Sequence, residues 1–404
     1  MKTKKFCPQH RLVTGLFITV KLFSHFSGSS PFMARLILLI ILLLASLLTV
    51  FKAPAYYLWL LAILVSEYSL FFIAATLILL ATGWRILKYK MAGTIVGIIA
   101  LILFISPICR AYWLGKQLQQ DMQVKGKAES VSQSPFSLIK LFQKDPVSTY
   151  KTFTYINYTD TSLTLDYYTA KDTGKRACVV VIHGGSWSSG DSKQLPELNT
   201  VFAQLGYQVT SINYRLAPKW HNPSPVQDVA AALNYLRAHA DELRIDTNQF
   251  VLLGRSAGAQ VALLAAYTLK QPGIKAVIDF YGPADMVWGY SLPAPKLVMD
   301  SRRVMANYLG GYYPQVPQNY VASSPVEFVN AQSVPTLIIH GANDVLVAYE
   351  HSRRLSYKLQ QYNIPHYWLK LPWATHGFDH HLNGPGGQLS TYAVERFLEQ
   401  VVKK

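Results

Sequence analysis

Ser256 sits between two glycines in GRSAG, Gly254 to Gly258, directly after the apolar run FVLL and directly before the small-residue stretch AQVALLAAY. A G-x-S-x-G pattern has two readings: a tight strand-to-helix turn that needs small residues for packing alone, or a turn that lifts a nucleophile above a sheet. A serine hydroxyl is a poor nucleophile at neutral pH. It needs a base, and the base needs a carboxylate that holds its tautomer. Both are available downstream. TLIIHGANDVLV puts Asp344 just past an apolar run, where it reads either as that carboxylate or as a turn-capping aspartate. LKLPWATHGF puts His376 after the next run, and the order Ser, Asp, His is the one expected when the nucleophile occupies such a turn. His351, His366, His380 and His381 compete with His376, but they fall inside a helix or strand pattern or past the expected loop. A fourth piece lies upstream. VVVIHGGSWSSGD ends an apolar run with His183, Gly184, Gly185 and Ser186, and glycines let backbone amides come close to a reacting carbonyl. A plain glycine turn would look the same.

These pieces need a frame. KTFTYINY and LTLDYYTA alternate apolar and polar residues, the pattern of an antiparallel pair. After them come unalternated runs, ACVVVIHG, YQVTSINY, QFVLLG, KAVIDFYG, TLIIHG and HYWLKL. Helical patterns separate most of these runs, such as VQDVAAALNYLRAHA from Val226 to Ala240. Apolar runs separated by helices indicate parallel strands buried on both faces, so the C-terminal two thirds is expected to be an α/β domain with a mostly parallel sheet.

HGGSW, NYRLAP (Asn213 to Pro218), PSPVQDVAAALNYLRAHADELRID, GRSAG, SSPVEFV and HGANDVLVAYEHS together resemble the α/β-hydrolases of the hormone-sensitive-lipase and carboxylesterase type. The resemblance runs from about Lys151 to Lys404. It implies the α/β-hydrolase fold, with Ser256 as nucleophile, Asp344 as orienting acid and His376 as base. It also implies an oxyanion hole made by the amides of Gly185, Ser186 and Ala257, and a structural His183. Ser186 replaces the usual third glycine of the loop, Arg255 precedes the serine, and AGAQ stands where AGGN is commoner. These departures are similar to feruloyl- and acetyl-esterase-like members and to isoprenylcysteine methylesterase and formamidase relatives, which leaves the substrate class open. No metal or organic cofactor is implied. Residues 284–324, rich in Tyr, Trp and Pro, exceed an ordinary connection and read either as a lid or as a surface excursion. Trp187 and Trp220 are candidates for the rim of a substrate pocket.

The first third differs in texture. A basic tail, residues 1–32, precedes MARLILLIILLLASLLTVF from Met33 to Phe51. Two further apolar stretches run from Ala55 to Trp84 and from Met91 to Cys109, so residues 33–110 are expected to hold three membrane-spanning helices. A cleaved leader ending at APA, Ala53 to Ala55, is the alternative for the first stretch. Residues 111–150 read as a polar linker, and the catalytic domain is expected over residues 151–404.

The net charge of +16 needs no nucleic-acid partner: residues 1–110 hold 11 Lys and Arg against the single acid Glu67. The basic tail and Arg85, Lys88 and Lys90 flank the apolar stretches, which by the positive-inside tendency places the N-terminus in the cytoplasm and the catalytic domain across the membrane. Glu67 reads as an intramembrane carboxylate or an interfacial one. Gly93 and Gly97 match the small-xxx-small pattern of close helix pairing, a route to self-association. Three cysteines form no disulfide framework. The expected chemistry is hydrolysis of a small or lipid-like ester through an acyl-enzyme. The alternatives are an amidase or peptidase with the same triad, and a catalytically inactive membrane scaffold.

Overall fold

The six apolar runs become parallel strands, and those in the middle of the sheet are buried on both faces. In β3 (Arg176–Ile182) every residue from Ala177 to Ile182 is buried, and alternate side chains serve two cores: Val180 and Ile182 one, Val179 and Val181 the other. β4 (Gln208–Ile212), β5 (Ile245–Arg255), β6 (Ile274–Phe280), β7 (Thr336–Gly341) and β8 (His366–Leu371) continue the parallel array. β1 (Lys151–Asn157) and β2 (Ser162–Tyr168) form the expected antiparallel pair, and β2 joins the sheet antiparallel to β4. The eight strands lie in the order β1-β2-β4-β3-β5-β6-β7-β8, with β5 near the centre.

The computed structural model describes residues 31–83, 89–122 and 134–402. Most of the basic tail with Cys7, the basic residues Arg85 and Lys88, and part of the polar linker lie outside the described residues. The chain divides into two units. One holds residues up to Leu47 and Leu70–Ile105; the other holds Leu48–Ser69 and Ser106–Lys404.

In the first unit lie α1 (Pro31–Ser46), most of α3 (Ser69–Thr82) and the first part of α4 (Lys90–Asp121). Arg35 Nε donates to the carbonyl of Leu79 at 2.9 Å. Phe72 stacks on Phe104 with ring centroids 5.2 Å apart. A side chain at Gly93 or Gly97 would collide with Arg35, Leu39 or Leu80 of the same chain, so these glycines serve close packing within the unit.

The three expected spans change in outline. The second stretch is not one helix: α2 (Tyr56–Glu67) ends and α3 begins on either side of a break at Tyr68. The break accompanies burial of Glu67, whose carboxyl accepts from the Gly386 amide of the same, second unit. Glu67 thus lies at a helix end and has a protein partner. The third stretch does not stop at Cys109 but runs 32 residues to Asp121 as α4. Past Cys109 the helix becomes amphipathic, and Ala111, Leu118 and Met122 join the buried core on one side of the sheet. Residues 111–121 are thus helix, where the polar composition predicts a linker. α4 is the one helix among the described residues long and apolar enough to cross a bilayer unaided.

In the second unit, α5 (Pro196–Gln204), α6 (Ser224–Ala238), α7 (Ala257–Thr268), α11 (Glu350–Gln361) and α12 (Pro385–Val401) connect or follow the strands. The 284–324 insertion folds as three short helices: α8 (Met286–Ser291), α9 (Ser301–Leu309) and α10 (Pro317–Ala322). Asp285 and Asp300 cap the first two by accepting from the amides of Trp288 and Arg303. Tyr290, Tyr313 and Tyr320 pack on one another.

Candidate active site

Three of the singled-out side chains meet above the ends of β5, β7 and β8. Ser256 follows β5 immediately and opens α7, with φ 53° and ψ −120°. A non-glycine residue with such angles is strained by about 1–3 kcal/mol and persists only where its surroundings enforce it. Here the enforcement is visible. The Ser256 amide donates to the carbonyl of Phe280 at 2.9 Å. A Cβ on Gly254 would lie 2.2 Å from the carbonyl oxygen of Gly258, and one on Gly258 would lie 2.2 Å from that of Ile182. The two glycines are required because the turn presses β5, α7 and β3 together.

His376 Nε2 lies 2.9 Å from Ser256 Oγ, and His376 Nδ1 lies 2.7 Å from Asp344 Oδ2. Asp344 is buried, and its Oδ1 accepts from the amides of Leu346 and Val347, each at 2.9 Å. Burial alone would raise its pKa, but His376 and His340 more than offset this and hold the carboxyl well below the ordinary carboxylate range. The ionised carboxylate puts the proton on Nδ1 of His376 and leaves Nε2 free to accept from the Ser256 hydroxyl. None of the four rival histidines bonds to Ser256. His351 is buried on α11, where burial pushes its pKa down to about 3, and its Nδ1 accepts from the Asp285 amide. His366 bonds Ser356 and the carbonyl of Ile364. His380 ends a short 3-10 turn, and His381 stacks on Tyr68.

The His183–Trp187 loop takes left-handed backbone angles at three successive residues, with φ of 120°, 54° and 58° at Gly185, Ser186 and Trp187. A Cβ on Gly184 would sit 3.4 Å from that of Ser256, so the loop runs against Ser256. The Gly184 amide is occupied by Gln194 Oε1 at 2.7 Å. The amides of Gly185, Ser186 and Ala257 donate to no acceptor among the described residues. His183 is buried against Tyr214, bonds the carbonyl of Gly184, and has its pKa lowered to about 4 by burial. These contacts suit a structural role.

A cavity of about 330 Å³ opens at Ser256. Pro283, Leu292, Met299, Met305, Val345 and Val347 give it an apolar lining, to which the 284–324 insertion contributes. Trp187 lines it too, but as a buried wall rather than a rim: its indole donates to Gln260 and its ring stacks on Tyr308 at 4.4 Å. Trp220 is not among the lining residues; its ring carries the Lys219 ammonium at 4.2 Å.

Sequence reasoning missed three features. His340 shares the carboxylate: its Nε2 faces Asp344 Oδ2 and the carbonyl of Val347, both at 3.1 Å, which fixes the proton on Nε2 and makes Nδ1 the acceptor for Ser352. Its place four residues before Asp344 in HGAND was the available signal. Arg255 donates to Asp379 at 2.6 Å in a buried pair, and Tyr281 donates to the other oxygen of Asp379. Lastly, Lys52, Ala53 and Pro54 line the cavity, and Trp59 of α2 donates from Nε1 to the carbonyl of His376 at 2.9 Å.

The comparisons with known proteins agree with this architecture. The family model BD-FAE matches residues 165–359. The chain is 30% identical over 244 residues to the probable carboxylic ester hydrolase LipM of Mycobacterium tuberculosis, covering 57% of this chain and 55% of that one. It is 29% identical over 259 residues to the esterase LipC of the same organism, covering 60% and 63%. The chain thus spans somewhat over half the length of these relatives. Among solved structures, a truncated carbohydrate esterase from gut microbiota shares 23% identity with a TM-score of 0.54, covering 64% of this chain and 99% of that one. A bacterial heroin esterase shares 20% identity with a TM-score of 0.56, covering 66% and 88%. The fold is the α/β-hydrolase fold of these solved esterases.

Proposed function

We propose that the chain is a membrane-anchored serine carboxylesterase. The observation that carries this reading is the continuous line from Ser256 Oγ to His376 to Asp344, at 2.9 and 2.7 Å, beside three amides without acceptors among the described residues. As Oγ attacks an ester carbonyl, its proton passes to His376 Nε2. The developing oxyanion accepts from the amides of Gly185, Ser186 and Ala257. His376 then protonates the departing alcohol; as water attacks the acyl-enzyme carbonyl, His376 Nε2 takes a proton from it and returns that proton to Ser256 Oγ as the acid leaves. Similarity to carboxylic ester hydrolases favours an ester over an amide. The apolar cavity suits an apolar acyl group or a lipid-like alcohol.

The anchor on this reading is α4, the one described helix long and apolar enough to cross a bilayer, with the shorter apolar helices α1 and α3 beside it in the first unit. On this reading the N-terminus and the connection after α3 face the cytoplasm, and the catalytic unit faces the other side together with residues 48–69. The basic residues that flank these helices support that orientation. The function is tested by hydrolysis of p-nitrophenyl esters of increasing chain length beside matching anilides, with the full chain in detergent. Ester turnover that falls to background in Ser256→Ala is expected. A preference for anilides would replace the esterase with an amidase.

A further inference from the structure

We propose that α2 is a clamp on the catalytic base, with Trp59 and Glu67 as positioning residues, and that this apolar helix belongs to the active site rather than to the membrane anchor. The proposal rests on the esterase reading, since it needs His376 to be the base.

His376 lies on the loop between β8 and α12, and a base on a loop is only as well placed as the loop is held. α2 holds it at both ends. Near the start, the Trp59 indole donates to the carbonyl of His376 itself at 2.9 Å. At the far end, Glu67 Oε2 accepts from the amide of Gly386, in the first turn of α12, at 2.8 Å. Between them, Ile63 is buried and its Cδ1 lies 3.5 Å from where a Cβ on Gly377 would be. Trp59, Ile63 and Glu67 are spaced i, i+4, i+8 and share one face of the helix. The partner loop is cut to fit: a Cβ on Gly384 or Gly386 would come within 2.6 or 3.0 Å of a Glu67 carboxylate oxygen. Just past the helix, Tyr68 stacks on His381 with centroids 4.2 Å apart.

α2 is itself fixed at the pocket. The Tyr56 amide donates to the carbonyl of Leu297 in the insertion at 3.0 Å. Asn343, beside Asp344, donates to the carbonyl of Val50 at 3.3 Å. The imidazole thus has Tyr281 on one side, 4.4 Å away, and a main chain pinned by Trp59. A lipid-facing helix has no use for a carboxylate aimed at a backbone amide. A clamp does.

The test uses the full chain in detergent, with p-nitrophenyl acetate as substrate. Trp59→Phe keeps a ring but removes the donor. Its kcat is expected to fall on the order of tenfold to a hundredfold, the effect of a small misplacement of a catalytic group, with KM and thermal midpoint unchanged. Glu67→Ala is expected to lower kcat similarly, and Glu67→Gln, which keeps an acceptor oxygen for Gly386, to restore most of it. Wild-type kcat in both Trp59→Phe and Glu67→Ala, losses that only track the folded fraction, or a Glu67→Gln no better than Glu67→Ala would overturn the clamp. A wild type that neither hydrolyses the ester nor reacts with a fluorophosphonate would remove the esterase reading, and the clamp with it.

Discussion

At the scale of single residues, the site is defined by who holds whose proton. Asp344 accepts two amides and faces two imidazoles, which hold its carboxyl well below the ordinary carboxylate range; in the proposed triad its task is to hold His376 in one tautomer. Asp344→Asn is expected to lower kcat about 10⁴-fold with KM nearly unchanged, as steady-state kinetics will show. Gly258→Ala would place a methyl 2.2 Å from the carbonyl oxygen of Ile182; it is expected to lose about 1–3 kcal/mol by denaturant titration and to disturb the nucleophile. A different buried carboxylate, Asp279 on β6, accepts from the Gly282 amide and has its pKa raised by burial to about 7. Because the folded pKa lies above the unfolded one, its stabilising contribution is complete below the ordinary carboxyl range near 4, falls as pH rises, and is gone above about 7. Asp279→Asn keeps an acceptor for Gly282 and is expected to gain stability over wild type as pH rises through that window. A stability difference that is flat with pH would contradict this.

At the scale of elements, what is legible in the sequence is what local chemistry dictates. Glycines two residues either side of Ser256, and Asp344 and His376 just past successive apolar runs, are patterns within a dozen residues, and the sheet that unites them follows from the runs themselves. Arg255 and Asp379 lie 124 residues apart, so no local pattern announces their pairing. That pair joins the end of β5 to the loop that carries His376 in a buried setting. Arg255→Met is therefore expected to cost about 3–5 kcal/mol by leaving Asp379 and its bond to Tyr281 uncompensated, and the double variant with Asp379→Asn to recover part of it. α2 escapes a sequence reading for a related reason: a helix buried in protein and a helix buried in lipid have the same composition. Glu67 and Ser66, both buried on α2, are the sequence signal against a plain span. The helical continuation to Asp121 is hidden because its last turn and a half, residues 116–121, is polar but for Leu118, too little for a period to show.

At the scale of the whole molecule, the chain interleaves its two units. Residues 48–69 belong with the α/β sheet, although apolar helices precede and follow them. A shortened chain beginning at residue 151 would lack Trp59 and Glu67 as well as the helical packing of Ala111 and Leu118, so the sheet domain alone is expected to be poorly active even where it folds. The full chain is expected to remain in the membrane pellet after high-salt and alkaline washes and to be released by detergent; release by salt would contradict anchoring by apolar helices.

The central claim is that Ser256 supplies the oxygen that carries the acyl group. Its most direct measurement is intact-mass and peptide mapping after exposure of the detergent-solubilised chain to a fluorophosphonate. A single adduct on the peptide containing Ser256, absent from Ser256→Ala and slowed in His376→Ala, is the expected result. No adduct on the wild type, or an undiminished one on Ser256→Ala, would contradict the account.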